Sequence, residues 1–254
     1  VEVFMFVESL ERRAMLSVSV AGGVLTVTGT GGNDHISIRA ATDDAGKAIL
    51  VVTEDVRGDD AKAVVTRVTE AVTSVVVNAG AGNDGVSLVG KRRTPFNVAA
   101  EINGGDGNDR LSGGAAADRI NGGAGDDRAD GNGGNDVING EAGEDRLGGG
   151  AGNDTVSGGA DDDRLDGGAG DDSLSGGDGN DRLNAADRGG KDAVDGGAPV
   201  ATTTPTTTET TKKGRRRGPT LITDGDVATV DSADTVTNVE QTITVKDKGG
   251  KGRR

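Results

Sequence analysis

The sequence predicts an all-β chain built as a β-solenoid, and three observations carry that prediction. From Gly104 it can be cut into nine successive nonapeptides. Upstream, short Val- and Thr-rich runs alternate with turn residues, and large apolar side chains are too few for a thick core. Of 254 residues 46 are Gly, whereas the aromatics amount to three Phe. The glycines keep no three-residue period and only four Pro occur, which excludes a collagen-like or proline-rich chain. Without Cys there are no disulfides and no thiolate zinc site, and the single His35 leaves little room for histidine-based catalysis.

Residues 1–16 read as a targeting-like segment. The apolar run from Val1 to Val7 is broken by Glu2 and lacks the basic start and long apolar centre of a conventional secretory signal. No run of 18 apolar residues occurs, so no transmembrane segment is expected.

Residues 17–103 contain the runs SVSV, VLTVTG, HISIRA, AILVVTE, AVVTRVTE, VTSVVVNA, GVSLVG and FNVAAEI, each of strand length. Two isolated repeat-like turns, GTGGNDHIS from Gly29 and AGAGNDGVS from Ala79, lie among them. This region is therefore expected to be a strand-rich, solenoid-like cap on the same stack. His35 follows the first of these turns and reads as a surface residue.

Residues 104–198 hold the array: GGDGNDRLS, GGAAADRIN, GGAGDDRAD, GNGGNDVIN, GEAGEDRLG, GGAGNDTVS, GGADDDRLD, GGAGDDSLS and GGDGNDRLN, followed by one degraded turn. Position six is Asp in every repeat: Asp109, Asp118, Asp127, Asp136, Asp145, Asp154, Asp163, Asp172 and Asp181. Position eight is always aliphatic. Position four is Gly except at Ala116 and Asp161, and these two residues are expected to strain turns that require φ > 0. The segment carries 22 acidic and 8 basic residues against 20 of each elsewhere, so the whole net charge of −14 resides here. Such a localised excess points to a cation-binding element.

This pattern resembles the glycine-rich nonapeptide of the hemolysin-type (RTX) calcium-binding proteins, over about a third of the chain. The resemblance implies a right-handed parallel β-roll in which two repeats make one 18-residue coil. Leu111, Leu147, Leu165 and Leu183 would stack in one sheet, and Ile120, Ile138, Val156 and Leu174 in the other. It also implies calcium ions between successive turns on each edge, held by the nine aspartates and by turn carbonyls at Gly105, Gly107, Gly114, Gly123, Gly125, Gly134, Gly143, Gly152, Gly159, Gly168, Gly170, Gly177 and Gly179. Calcium takes six to eight oxygens of such mixed type. With Asp109, Asp127, Asp145, Asp163 and Asp181 on one edge and Asp118, Asp136, Asp154 and Asp172 on the other, the count is about seven ions. Crowded carboxylates and little apolar area further predict disorder at low calcium and folding on binding. The segment VESLERRAMLS, Val7 to Ser17, resembles a motif at the start of many large secreted proteins of planctomycete-type bacteria, in which a strand-rich region precedes such repeats.

Position seven is Arg in all five repeats of one side, at Arg110, Arg128, Arg146, Arg164 and Arg182, but only once on the other, at Arg119. This ladder reads either as a surface for anionic polysaccharide or as a solvated face paired with Asp130 and Asp166. Residues 199–219, a Thr/Pro tract ending in KKGRRRG, are a linker by composition, and 220–254 a small β element, drawn as a hairpin returning to the stack, with a basic tail.

No HExxH, GxSxG or GxxxxGK[ST] motif occurs. The expected function is extracellular, non-catalytic calcium binding by a monomer, in a structural or secretion-linked role and with no nucleic-acid partner. The alternatives are a calcium-stabilised adhesin or matrix protein that binds anionic glycan at a cell surface, and a secreted enzyme with an unrecognised active site in 17–102.

Overall fold

A computed structural model describes residues 16–54, 64–88, 96–185, 190–199, 227–230, 235–237 and 242–245. The targeting-like segment before Leu16, the linker after Pro199 and the basic tail lie outside the described residues. Regular structure among the described residues is all strand, arranged in two sheets of ten and eleven strands, and the array forms the expected parallel β-solenoid. Among the described residues no helix is long and apolar enough to cross a membrane.

The N-terminal part mixes antiparallel and parallel pairing. Strand β1 (Ser17–Ala21) forms a hairpin with β2 (Val24–Thr28), whose other edge pairs parallel with β6 (Ser74–Ala81). On the opposite sheet β3 (His35–Thr42), β4 (Ala48–Glu54) and β5 (Val64–Val68) form an antiparallel meander, and β3 pairs parallel with β7 (Gly85–Ser87). Leu25, Val27, Ile36, Ile38, Val52, Val75, Val77 and Val86 are all buried here, so most of the larger apolar side chains lie at this end.

From β8 (Ala100–Asp106) the chain alternates between the sheets. Strands β8, β10 (Arg119–Ala124), β12 (Val137–Ala142), β14 (Thr155–Ala160), β16 (Ser173–Gly179) and β18 (Ala193–Pro199) stack in one sheet. Strands β9 (Arg110–Ser112), β11 (Arg128–Gly133), β13 (Arg146–Ala151), β15 (Arg164–Ala169) and β17 (Arg182–Asn184) stack in the other. Most strands run six residues rather than three, because pairing continues through the glycines at the start of the next repeat: Asn121 pairs with Asn139 and Gly123 with Glu141. Within the array register is 18 residues throughout; it lengthens to 20 between Ser173 and Ala193, after an insertion that follows the ninth repeat.

Position eight falls inside the roll, as the pattern predicts. Leu111, Ala129, Leu147, Leu165 and Leu183 form one buried column, and Ile102, Ile120, Ile138, Val156, Leu174 and Val194 the other. Each array coil therefore buries two aliphatic side chains, and its cohesion rests heavily on backbone hydrogen bonds. Amides reinforce the outside: Asn103, Asn121 and Asn139 each donate Nδ2–H to the Oδ1 of the asparagine one coil earlier, at 3.0, 2.7 and 2.9 Å.

The C-terminal element departs from the hairpin drawn for it. Strand β19 (Val227–Val230) pairs parallel with β17, β20 (Thr235–Thr237) parallel with β18, and β21 (Thr242–Val245) parallel with β19. It adds further turns of the same stack, burying Ala228 and Val230. Parallel addition leaves every ladder in the sense already set by β17 and β18, whereas a hairpin would reverse it at the growing edge.

Because only two aliphatic groups fill each coil, truncating one is costly. Ile138→Ala is expected to destabilise the folded chain by about 2–5 kcal/mol in chemical denaturation. An unchanged midpoint would mean that the column does not hold the array.

Candidate metal centre

The site follows from how a turn must close. At positions two and four the backbone carries positive φ, for example 120° at Gly123 and 125° at Gly125. A methyl group there would overlap or crowd the carbonyl oxygen of the equivalent residue one coil back, Gly105 and Gly107 respectively. Glycine is thus required for conformation and for space. Asp161 takes φ +77° at position four as expected, but Ala116 does not adopt positive φ. Two strained positions that the pattern reading missed are Asn132 and Glu141, at position two, with φ of 69° and 84°.

Position six falls on two lines, one per edge. Asp34, Asp84, Asp109, Asp127, Asp145, Asp163 and Asp181 follow one another where the chain passes from the ten-stranded to the eleven-stranded sheet; Asp118, Asp136, Asp154, Asp172 and Asp192 line the return edge. All are buried. Each Oδ1 accepts the backbone N–H of the preceding residue on its line: Asp109 N donates to Asp127 at 2.7 Å, Asp127 N to Asp145 at 2.8 Å, and Asp136 N to Asp154 at 2.7 Å. The continuation through Asp34 and Asp84 was not assigned from the repeats, although GTGGND and AGAGND carry its signal.

The second carboxylate oxygen is the unusual one. Oδ2 of Asp109, Asp127, Asp136, Asp145, Asp154 and Asp163 is buried with no hydrogen-bond donor, and so is that of Asp84. It lies against the glycine at position one of its own repeat: a methyl on Gly122 would overlap Asp127 Oδ2 and come within 2.8 Å of the Gly140 carbonyl oxygen in the next coil. The same holds at Gly104, Gly131, Gly140, Gly149 and Gly158. Position one is Gly in all nine repeats, a regularity whose cause, the adjacent carboxylate, shows only in the folded chain. A buried carboxylate oxygen with no protein donor favours a cation or a proton at that point. Among the described residues no three Asp, Glu, His or Cys side chains converge on one point. A cation between coils would therefore take one or two carboxylates and complete its shell with carbonyls, a donor set that suits a hard ion such as calcium.

Two of the aspartates differ. Asp118 Oδ2 accepts the Gly114 N–H at 2.6 Å, and Asp34 Oδ2 accepts from Thr30 N–H and Oγ1–H at 2.6 and 3.0 Å. Gly114 also lacks the positive φ of its counterparts.

A second row, also missed from the pattern, runs outside the first. At position five Asn108, Asp126, Asn135, Asn153, Asp162 and Asp171 accept the N–H of the residue one coil later through Oδ1, at 2.9–3.2 Å. Eight of nine repeats have Asn, Asp or Glu here, and Ala117 of the second repeat is the exception.

The five arginines of position seven lie in register on one exposed face. Arg146, Arg164 and Arg182 wall a shallow groove of about 440 Å³ with Asp130 and Asp166. His35, at the start of β3, is half-buried beside Gly85 rather than fully at the surface.

Burial pushes the carboxyls of Asp109, Asp127 and Asp145 up to about 6 and those of Asp136 and Asp163 up to about 7; the N–H bond to Oδ1 opposes the rise and neighbouring acids add to it. Asp118 and Asp154 are raised for the same first reason.

The array matches the family described as the RTX calcium-binding nonapeptide repeat over residues 101–129, 121–156 and 157–187. No curated protein and no solved structure matches the chain.

These raised values set the sign of a pH dependence. Folded without metal, the aspartates bind protons more tightly than in the unfolded chain, where the reference is 3.8. Their contribution is therefore fully present below about pH 4 and is lost as pH rises through 6–7. The metal-free chain should show more β circular dichroism at pH 4.5 than at pH 8, and a greater signal at pH 8 would contradict the burial described here. The periodic glycines, the buried aspartate lines and the family match identify residues 101–187 as an RTX calcium-binding repeat array, folded as a parallel β-roll.

Proposed function

We propose that this chain is an extracellular, non-catalytic calcium-binding module whose array folds when calcium enters the gaps between coils. The observation that carries the reading is the buried, donor-less Oδ2 at Asp109, Asp127, Asp136, Asp145, Asp154 and Asp163, each beside a carbonyl oxygen of the next coil. The ligands would be these six aspartates and the turn carbonyls beside them. Counting one ion per gap between successive array aspartates gives about seven.

Calcium supplies the positive charge that lets the carboxylates stay ionised while buried, so binding free energy becomes folding free energy. Without it, two aliphatic side chains per coil leave little apolar burial against the entropy of ordering 18 residues. In a calcium-poor cytoplasm the array would be unfolded, a form suited to export; outside, millimolar calcium saturates even weak sites. Acting alone as a monomer, the roll would serve as a rigid spacer or a secretion-linked structural element.

The test is far-UV circular dichroism of the whole chain during calcium titration at pH 7.5, with magnesium as control. A cooperative gain of β signal with calcium alone is expected. A spectrum already β-rich in chelator and indifferent to calcium would overturn the reading.

The exposed arginine row supports a second role, contact with an anionic polysaccharide at a cell surface or in a matrix, because five guanidinium groups repeat at the coil spacing of about 4.8 Å. Asp130 and Asp166 beside them would make such binding weak and salt-sensitive. Replacing all five by Ser should advance elution from a sulfated-polysaccharide column at fixed salt, and unchanged retention removes this role.

A further inference from the structure

The second repeat, GGAAADRIN, breaks the pattern at two successive places, Ala116 and Ala117, and the structure makes the breaks one event. Ala116 and Gly114 lack the positive φ that their counterparts adopt. Ala117 removes the position-five acceptor. The rearranged turn directs the Gly114 N–H onto Asp118 Oδ2 at 2.6 Å, where the turns of Asp109, Asp127, Asp136, Asp145, Asp154 and Asp163 leave the equivalent oxygen without a donor. Phe96 fixes it from above: its carbonyl accepts the Ala115 N–H at 2.7 Å, and a methyl on Gly114 would come within 3.1 Å of its ring. Phe96 is itself fully buried.

Asp118 begins its edge. The preceding passage between sheets, from Leu88 to Ala99, contains no acidic residue, and Asp118 Oδ1 is taken by the Ala100 N–H at 2.8 Å. The other edge begins similarly, with Asp34 satisfied by the Thr30 N–H and hydroxyl. Each line of carboxylates thus opens with a member whose charge is met by the chain's own donors; Asp34 lies in the part with the larger apolar core, and the turn of Asp118 is joined to it through Phe96 and Ala100.

We propose that the solenoid carries an ion-independent starter at its N-terminal end, in which the turns closing on Asp34 and Asp118 use backbone and hydroxyl donors in place of a cation. The coils up to Ile120 hold without calcium on their larger apolar core, even though Asp84 and Asp109 within them each keep one oxygen without a donor, and they present a preformed edge, onto which calcium orders the later coils in sequence. The gap below Asp118 takes no ion, so the array binds about six rather than seven. This rests on the calcium reading for the later coils, but it differs from that reading in what it requires of the metal-free chain. A templated edge removes the loop-closure and strand-pairing cost of the first coil, the step that otherwise makes a parallel stack slow to start.

Hydrogen exchange followed by mass spectrometry on the full chain at pH 7.5, in chelator and in calcium, tests it. In chelator, peptides covering β2, β3, β6, β8 and β10 should exchange about tenfold or more slowly relative to those covering β12 to β17, and calcium should protect the latter. Asp118→Asn puts an amide donor against either Gly114 N–H or Ala100 N–H, so it should abolish protection of β8 and β10 in chelator while leaving the number of calcium ions bound unchanged. Asp154→Asn should do the converse, lowering the ion count without altering exchange in chelator. If chelator leaves every strand unprotected and calcium protects all of them together, the starter is overturned while the calcium reading stands. If every strand is protected in chelator and calcium changes nothing, the calcium reading falls and the starter has no role. Loss of bound calcium in Asp118→Asn, with exchange in chelator unaltered, would instead make Asp118 an ordinary ligand and also overturn the proposal.

Discussion

The structure depends on one electrostatic constraint: each turn of the array buries a carboxylate, and the fold in most turns supplies a donor to only one of its two oxygens. The donor it does supply is the N–H of the aspartate one coil earlier, so the first oxygen joins coil to coil. The second oxygen faces the carbonyl of the next coil across a space kept open by glycine at position one. A stack closed in this way repeats a buried carboxylate oxygen with no protein donor, and its stability is tied to whatever neutralises that charge.

That constraint orders the other features. A roll that buries two aliphatic groups per coil can be long and thin, because cohesion comes from ladders running along the axis: backbone pairs, the aspartate lines, the position-five row outside them and the short asparagine column. Every one of these joins a residue to its equivalent in an adjacent coil, so stability accrues by nearest neighbours, as in other repeat architectures. The N-terminal part is built differently, with antiparallel ribbons and more large apolar side chains, and it gives the array an edge to start from. At the far end β19 to β21 continue the parallel stack instead of closing it with a hairpin.

The second repeat shows how little separates a turn with a donor-less carboxylate oxygen from a self-satisfied one. With Ala at positions three, four and five, and Phe96 packed over Gly114, one N–H moves onto the carboxylate and the turn no longer presents an unpartnered oxygen. Asp161 is also a departure at position four, yet it keeps the ordinary turn conformation at φ +77°; short polar side chains tolerate the left-handed region, whereas Ala does not gain the local hydrogen bond that offsets its cost.

The sequence by itself determined the solenoid class, the 18-residue coil, the inward columns and the aspartate lines, because each is a strict periodicity and a stacked structure repeats whatever its sequence repeats. The constancy of position one and the polar run at position five were equally legible, but their cause was not, since it lies in a neighbouring carboxylate and in the coil alongside. Tertiary structure alone decided which carboxylates lack a donor, that Asp34 and Asp118 are met from within the chain, that Asn132 and Glu141 rather than Ala116 take positive φ, and that the C-terminal strands add in parallel. The self-satisfied aspartates, the turn of Ala116 and the C-terminal addition depend on contacts with Thr30, Phe96, Ala100 and the edges of β17 and β18, and a repeat pattern carries no information about what meets it at its ends.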